Sequence, residues 1–235
     1  MRFELKEIIA AAIPYFVAVA AAYLFGYWGS FNINILEYVS LADLAKLSVY
    51  PLLASLVFIL VGILISELLL APSMPPGGGA NSVIGRLGRR FWRLLLTIQV
   101  ILIIVVGIFG REPWRWFAVA TLVAFFSTPL SHVEWFIDRV PHPRVRATAF
   151  FLLLFLPGIS FAYGRLDAFL IKDGRPTNIV DVGRSGLSLA DDLKHPVSYL
   201  GFVGGTYVLF ESRSGQVVFL KQQDGTPLYV TPKQR

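Results

Sequence analysis

"RATAFFLLLFLPGISFAYGRLDAFLIK", residues 146–172, decides how the chain divides. Through Tyr163 it is apolar enough to be a helix in lipid, whereas from Leu166 onward the composition turns to that of β-strands. The boundary predicts a helical membrane domain over 1–165 and a β domain outside the membrane over 166–235.

The whole chain carries the same signal. Of its 235 residues 55% are hydrophobic, and the mean hydropathy of +0.64 is far above that of an ordinary soluble domain. The apolar residues come in blocks suited to a hydrocarbon core of about 30 Å, which takes about 20 helical residues. Five spans follow, at 7–28, 47–71, 91–110, 115–131 and 146–163. All are expected to be helices, because backbone groups in lipid bond within their own segment. The fold class expected is therefore an α-helical multipass domain of about five transmembrane helices, followed by a small antiparallel β-sheet or β-barrel.

Arg2 and Lys6 ahead of the first apolar run resemble the start of a secretory signal, but Glu4 and Glu7 dilute the charge and the run continues to Phe25. A retained first span is the expectation.

The net charge of +6 gains meaning only from its placement. Arg86, Arg89, Arg90 and Arg93 precede one span and Arg139, Arg144 and Arg146 another, the pattern of positive-inside loops. Nucleic acid is the weaker partner, and anionic headgroups against Arg86, Arg89, Arg90 and Arg93 the stronger. The bias puts the N-terminus in the cytoplasm of a bacterial inner-membrane protein and, after five spans, the C-terminal domain in the periplasm. Tyr23, Tyr27, Trp28, Tyr50, Trp114, Trp116 and Tyr163 then gather at the outer ends.

The connecting segments carry their own signals. In the first outer loop Phe31, Ile33 and Ile35 alternate with Asn32 and Asn34, a period-2 pattern of an extended piece. Ser40 and Asp43 resemble a capping box opening a helix at Leu41. The inner loop 71–93 opens as a Pro/Gly linker and closes as a basic amphipathic stretch. In the C-terminal region "AFLIK", "SYLGFVG", "TYVLFES", "QVVFLKQ" and "PLYVT" read as strands, the last four as a meander.

Glu67 is the acidic residue placed within a span, about 5 Å inside the inner end by helix rise. Thr97 and Gln99 lie at about 6 to 9 Å from Arg93, and Ser127 and Thr128 occupy the same half of the fourth span. Such a cluster either bonds helix to helix or lines a water-filled inner vestibule. Ala18, Ala22 and Gly26 are spaced four apart, a small-residue face for close helix packing within the chain or between copies.

Catalytic and metal motifs are not persuasive. Zero cysteines excludes disulfides, thiolate metal sites and a Cys nucleophile. His132, Glu134, Asp138 and His142 are metal-ligating types, but Pro141 interrupts any helix that would align them. Gly183-Arg184-Ser185-Gly186 misses the nucleophile elbow because residue 187 is Leu. No catalytic, cofactor-binding or metal residue is expected.

The functional expectation is a non-enzymatic, self-associating integral membrane protein, in its most concrete form a small channel or pore-forming effector with an extramembrane sensing or assembly domain. The alternative is a membrane scaffold or sensor whose β domain binds a protein partner, and a membrane-embedded enzyme ranks third.

Overall fold

A computed structural model describes residues 5–38, 83–140, 142–187, 189, 196–221 and 227–232. The helices are α1, Leu5–Gly29, then after a 3-10 turn at Ile35–Glu37 come α2, Val83–Phe109, and α3, Trp114–Phe125. Two short helices follow, α4 at Ser127–Leu130 and α5 at Glu134–Arg139, and then the long α6, Pro143–Lys172. Pro143 suits the first turn of α6, where its missing N–H has no helical acceptor to lose.

The expected five-span helical domain is not what these helices form. Among the described residues, one helix, Arg146–Lys172, is long and apolar enough to cross a membrane. Among the described residues the other apolar stretches are Ile13–Gly29, Leu96–Phe109 and Trp114–Phe125, the first two within the longer helices Leu5–Gly29 and Val83–Phe109, and each is below the about 20 residues that a core of about 30 Å takes. The basic turns from Val83 belong to the same helix as the apolar part of α2, and the block read as a fourth span divides at Phe126 into α3 and α4. The second block, 47–71, lies outside the described residues.

The strand reading of "AFLIK" is also corrected, because residues 168–172 are the last turns of α6. Alternation over five residues fits either period, and Ala168 and Ile171, buried together at i and i+3, show that the helical one holds. The helix thus runs through the position where the β domain was expected to begin.

The antiparallel sheet is as the strand composition indicated, with the order β4-β3-β2-β1-β5. Its strands are β1 Asn178–Val180, β2 Val197–Val203, β3 Thr206–Glu211, β4 Gln216–Lys221 and β5 Val230–Pro232. β2, β3 and β4 form the expected meander. β5 departs from it by pairing with β1, Ile179 against Thr231, instead of continuing beside β4. Period-2 alternation divides the sheet into two apolar faces. Leu200, Val203, Val208 and Phe210 join Leu24, Trp28, Phe31, Ile35, Ala168 and Ile171 in one core, while Val180, Val197 and Leu209 join Val182 in another on the opposite face.

α1 and α6 make the most extensive helix pair among the described elements. A Cβ at Gly26 would overlap the Phe161 carbonyl, and one at Gly164 would overlap the Tyr23 carbonyl. The backbones therefore touch where neither helix carries a side chain. α6 approaches α3 nearly as closely, since a Cβ at Gly158 would lie 2.9 Å from the Cβ of Ala120.

This contact has a direct test in thermal or chemical denaturation of the purified chain. Gly164→Val forces the helices apart and is expected to cost roughly 1 to 3 kcal/mol or more. Gly29→Ala, where a Cβ meets nothing within 4 Å, is expected to leave stability nearly unchanged. Equal melting of the two variants contradicts the packing.

Candidate functional site

The most highly organised polar and aromatic region lies where α1 and α6 end against the sheet. Tyr23 and Tyr27, one turn apart on α1, stack with ring centroids 6.2 Å apart. Their spacing sends the two hydroxyls to different partners. Tyr23 donates to Asp167 Oδ2 on α6 at 2.7 Å, and Tyr27 donates to the Leu200 carbonyl of β2 at 3.1 Å. One aromatic pair thus binds α1 to both the second helix and the sheet.

Trp28 and Phe31 complete the joint from the apolar side. Trp28 is 3% exposed and fills the space that Gly201 leaves in β2, where a Cβ would lie 3.3 Å from the indole Cζ2. Phe31 meets Phe210 of β3 edge to face at 5.3 Å. Lys172, in the last turn of α6, donates to the Ser30 carbonyl and holds its ammonium 5.3 Å from the centre of the Phe31 ring. Within the sheet, burial and the neighbouring Tyr207 push the Tyr199 phenol above its ordinary pKa, so it remains a neutral donor at physiological pH.

The expected alternation across 31–35 is present in side-chain direction but not in conformation. Phe31 and Ile35 are buried and Asn32 and Asn34 exposed, yet the backbone turns through Asn32 at φ 58° into the 3-10 turn. Tyr38, just beyond, stacks on Phe219 of β4 at 5.2 Å.

A second organised region sits at the opposite end of α6. Arg146 is 7% exposed; its Nε donates to the Ser131 carbonyl and its Nη1 to the Val140 carbonyl at 2.7 Å. Ser131 and Val140 are the residues that close α4 and α5. The guanidinium therefore caps two helix C-termini at once, where carbonyl dipoles favour a cation. A residue counted as a loop charge in the sequence is a buried staple.

A third region links the α2–α3 turn to α6. Glu112 contacts Arg115 at 2.7 Å and Arg165 at 3.7 Å, and accepts from the Trp116 indole N–H at 3.4 Å. Both guanidiniums lie near the Trp116 ring, at 5.1 and 5.4 Å from its centre.

The residues singled out in the sequence are spread across these elements. Thr97 and Gln99 are exposed on α2, and Ser127 is 7% exposed at the start of α4, so the three do not share one lining. Glu67 and the side chain of Thr128 lie outside the described residues. Of the small-residue face, Gly26 is buried at the α1–α6 contact, Ala22 is half-buried and Ala18 is exposed. Arg90 is exposed, with its guanidinium 5.7 Å from the Phe91 ring. The side chains of Arg86, Arg89 and Arg93, the Ser40–Asp43 capping box and the Pro/Gly linker lie outside the described residues. Of the outer aromatics, Trp114 and Tyr163 are exposed, whereas Trp28 is in the core and Tyr27 packs against it.

The weaker motifs have structural partners. Ser185 accepts a hydrogen bond from the Tyr229 amide at 3.0 Å, and Arg184 lies over the Tyr229 ring at 4.6 Å, so this turn braces the entry to β5. His132 is exposed, with Nδ1 3.3 Å from Ser131 Oγ. Among the described residues no three His, Asp or Glu side chains are grouped to hold a metal ion. Compared with known proteins, the chain matches no family model, no curated protein and no solved structure.

The joint predicts an order of effects in urea denaturation. Trp28→Ala opens the shared core and is expected to cost roughly 3 to 5 kcal/mol, whereas Tyr27→Phe loses one hydrogen bond and about 1 kcal/mol. A Trp28→Ala loss no larger than that of Tyr27→Phe contradicts the assignment of the core.

Proposed function

We propose that the chain is a non-enzymatic, self-associating integral membrane protein in which the sheet is a sensing or assembly module coupled to α1 and α6. The observation that carries this reading is the single core shared by the helix ends and the inner face of the sheet. A module on a loose linker moves independently of its anchor. One whose strands pack on Trp28, Phe31 and Ile171 transmits displacement or load to the helices directly.

The membrane setting is supported by the direction in which the helices show their apolar side chains. On α2, Ile101, Leu102, Ile108 and Phe109 are exposed, the last at 79%. Val17 and Phe25 on α1 and Phe151 and Leu153 on α6 are exposed as well. Apolar surface spread over several helices in this way fits a lipid surround. The bacterial inner membrane remains part of the proposal, and the side of the sheet now rests on α6 alone instead of on five spans: Arg139 and Arg144 stand at its N-terminal end and the sheet follows its other end, which under the positive-inside bias is the periplasmic one.

Channel activity is the second reading, favoured by Gln99, an exposed amide among the exposed Ile98, Ile101 and Leu102 of α2. An amide in that position finds polar company between copies, so a conducting path would be intermolecular.

Alkaline carbonate extraction and native mass measurement test the main reading on the full chain. The protein is expected to stay with the membrane pellet and to show masses that are multiples of 26.1 kDa. Release into the supernatant, or a monomer alone, overturns it. For the second reading, planar-bilayer recording is expected to show a conductance that Gln99→Leu diminishes, and silence across several ions and voltages removes the channel.

A further inference from the structure

We infer that the Glu112, Arg115, Arg165 and Trp116 cluster is a binding site for a phosphate oxyanion, supplied by the headgroup of an anionic phospholipid. The inference rests on the membrane reading above and adds a ligand and a site to it.

The charge balance is the first reason. Two guanidiniums share the single carboxylate of Glu112, leaving one formal positive charge without a counterpart in the cluster. The sharing is unequal, since the Arg115 contact of 2.7 Å is a close ion pair and the Arg165 contact of 3.7 Å is not. The other carboxylate on this part of α6, Asp167, accepts from Tyr23.

Hydrogen bonding is the second. Arg165 Nε is buried and has no acceptor, an expensive state for a charged donor. A phosphate supplies what is missing, because two of its oxygens match the planar fork of a guanidinium, Nε–H and Nη–H together. That fork is formed with Nη2, so the phosphate leaves both the long Nη1 contact to Glu112 and the Arg115–Glu112 pair in place. The Trp116 and Phe161 rings, 5.4 and 5.5 Å from the Arg165 guanidinium, hold the fork in position.

The surroundings point to a lipid as the source. Phe109, Trp114 and Tyr163 are exposed around the cluster's elements, Trp114 at 62%, and Phe117 meets Tyr163 edge to face at 5.3 Å. The apolar stretches Leu96–Phe109 and Trp114–Phe125 flank the turn that carries Glu112. Exposed aromatics at the end of apolar helices mark headgroup level, where a phosphate meets arginine and its acyl chains run along the helices.

The test is the thermal shift of the full chain purified in a neutral maltoside detergent, with phosphatidylglycerol, a diacylglycerol with the same acyl chains, or inorganic phosphate added. Phosphatidylglycerol at saturation is expected to raise the Tm by about 5 °C, with no shift from the diacylglycerol. Arg165→Gln is expected to abolish the shift. Because that variant also removes the stacked side chain, Glu112→Gln provides a second arm. It removes the carboxylate charge that competes with an anion beside Arg165 and is expected to lower the phosphatidylglycerol concentration at half-maximal shift several-fold. Equal shifts from phosphatidylglycerol and diacylglycerol, or an unchanged half-maximal concentration in Glu112→Gln, overturn the site. A full shift with inorganic phosphate and no further gain from the lipid overturns the lipid source. A chain that stays in carbonate-washed membranes without a headgroup-dependent shift overturns this inference alone, whereas release by carbonate overturns the membrane reading.

Discussion

The backbone contact of α1 with α6 at Gly26 and Gly164 fixes where the rest of the described structure stands. Only at that separation does the Tyr23 hydroxyl reach Asp167 and Tyr27 reach past it to the sheet. The same approach brings Leu24 and Trp28 level with Ala168 and Ile171, so the two helix ends present one apolar surface. The inner face of the sheet covers that surface. Removing the small residues would separate not two helices but three packed elements.

The sheet is held from both sides. Its inner face lies on the helices, and its outer face is closed by Val182, Leu187 and Leu189 from the segment between β1 and β2. β5 returns from the C-terminal end to pair with β1, and Ser185 ties the same segment to Tyr229 at the start of that strand. Small sheets are marginal alone, and here the missing stabilisation comes from the helix ends. The function proposed for the sheet follows from that packing, since a module that shares its core with its anchor does not move independently of it.

Strands with strict alternation were legible in the sequence, because "TYVLFE" sends Val208 and Phe210 to one face and Leu209 to the other. β1 was not, since three residues carry too little pattern to be seen. "AFLIK" misled for the same reason in reverse, a short apolar run whose helical state is set by its continuation from α6 and by the sheet packed on it. The span count failed because hydropathy blocks do not record where a helix ends, and the break at Phe126 left no block boundary. The site residues were legible by type but not by role. Tyr27 and Trp28 read as interfacial aromatics and Arg146 as a loop charge, because partners as far apart as residues 27 and 200 leave no local signal.

Site-specific hydrogen exchange on the full chain tests the central claim that the sheet and the α1–α6 pair are one cooperative unit. Amides of β2 and β3 and those in the facing turns of α1 and α6 are predicted to share one opening free energy, and Trp28→Ala to lower it for both sets together. Sheet amides that open tens of times more often than those of the helix ends, or that keep their protection when Trp28→Ala loosens the helices, would contradict the account.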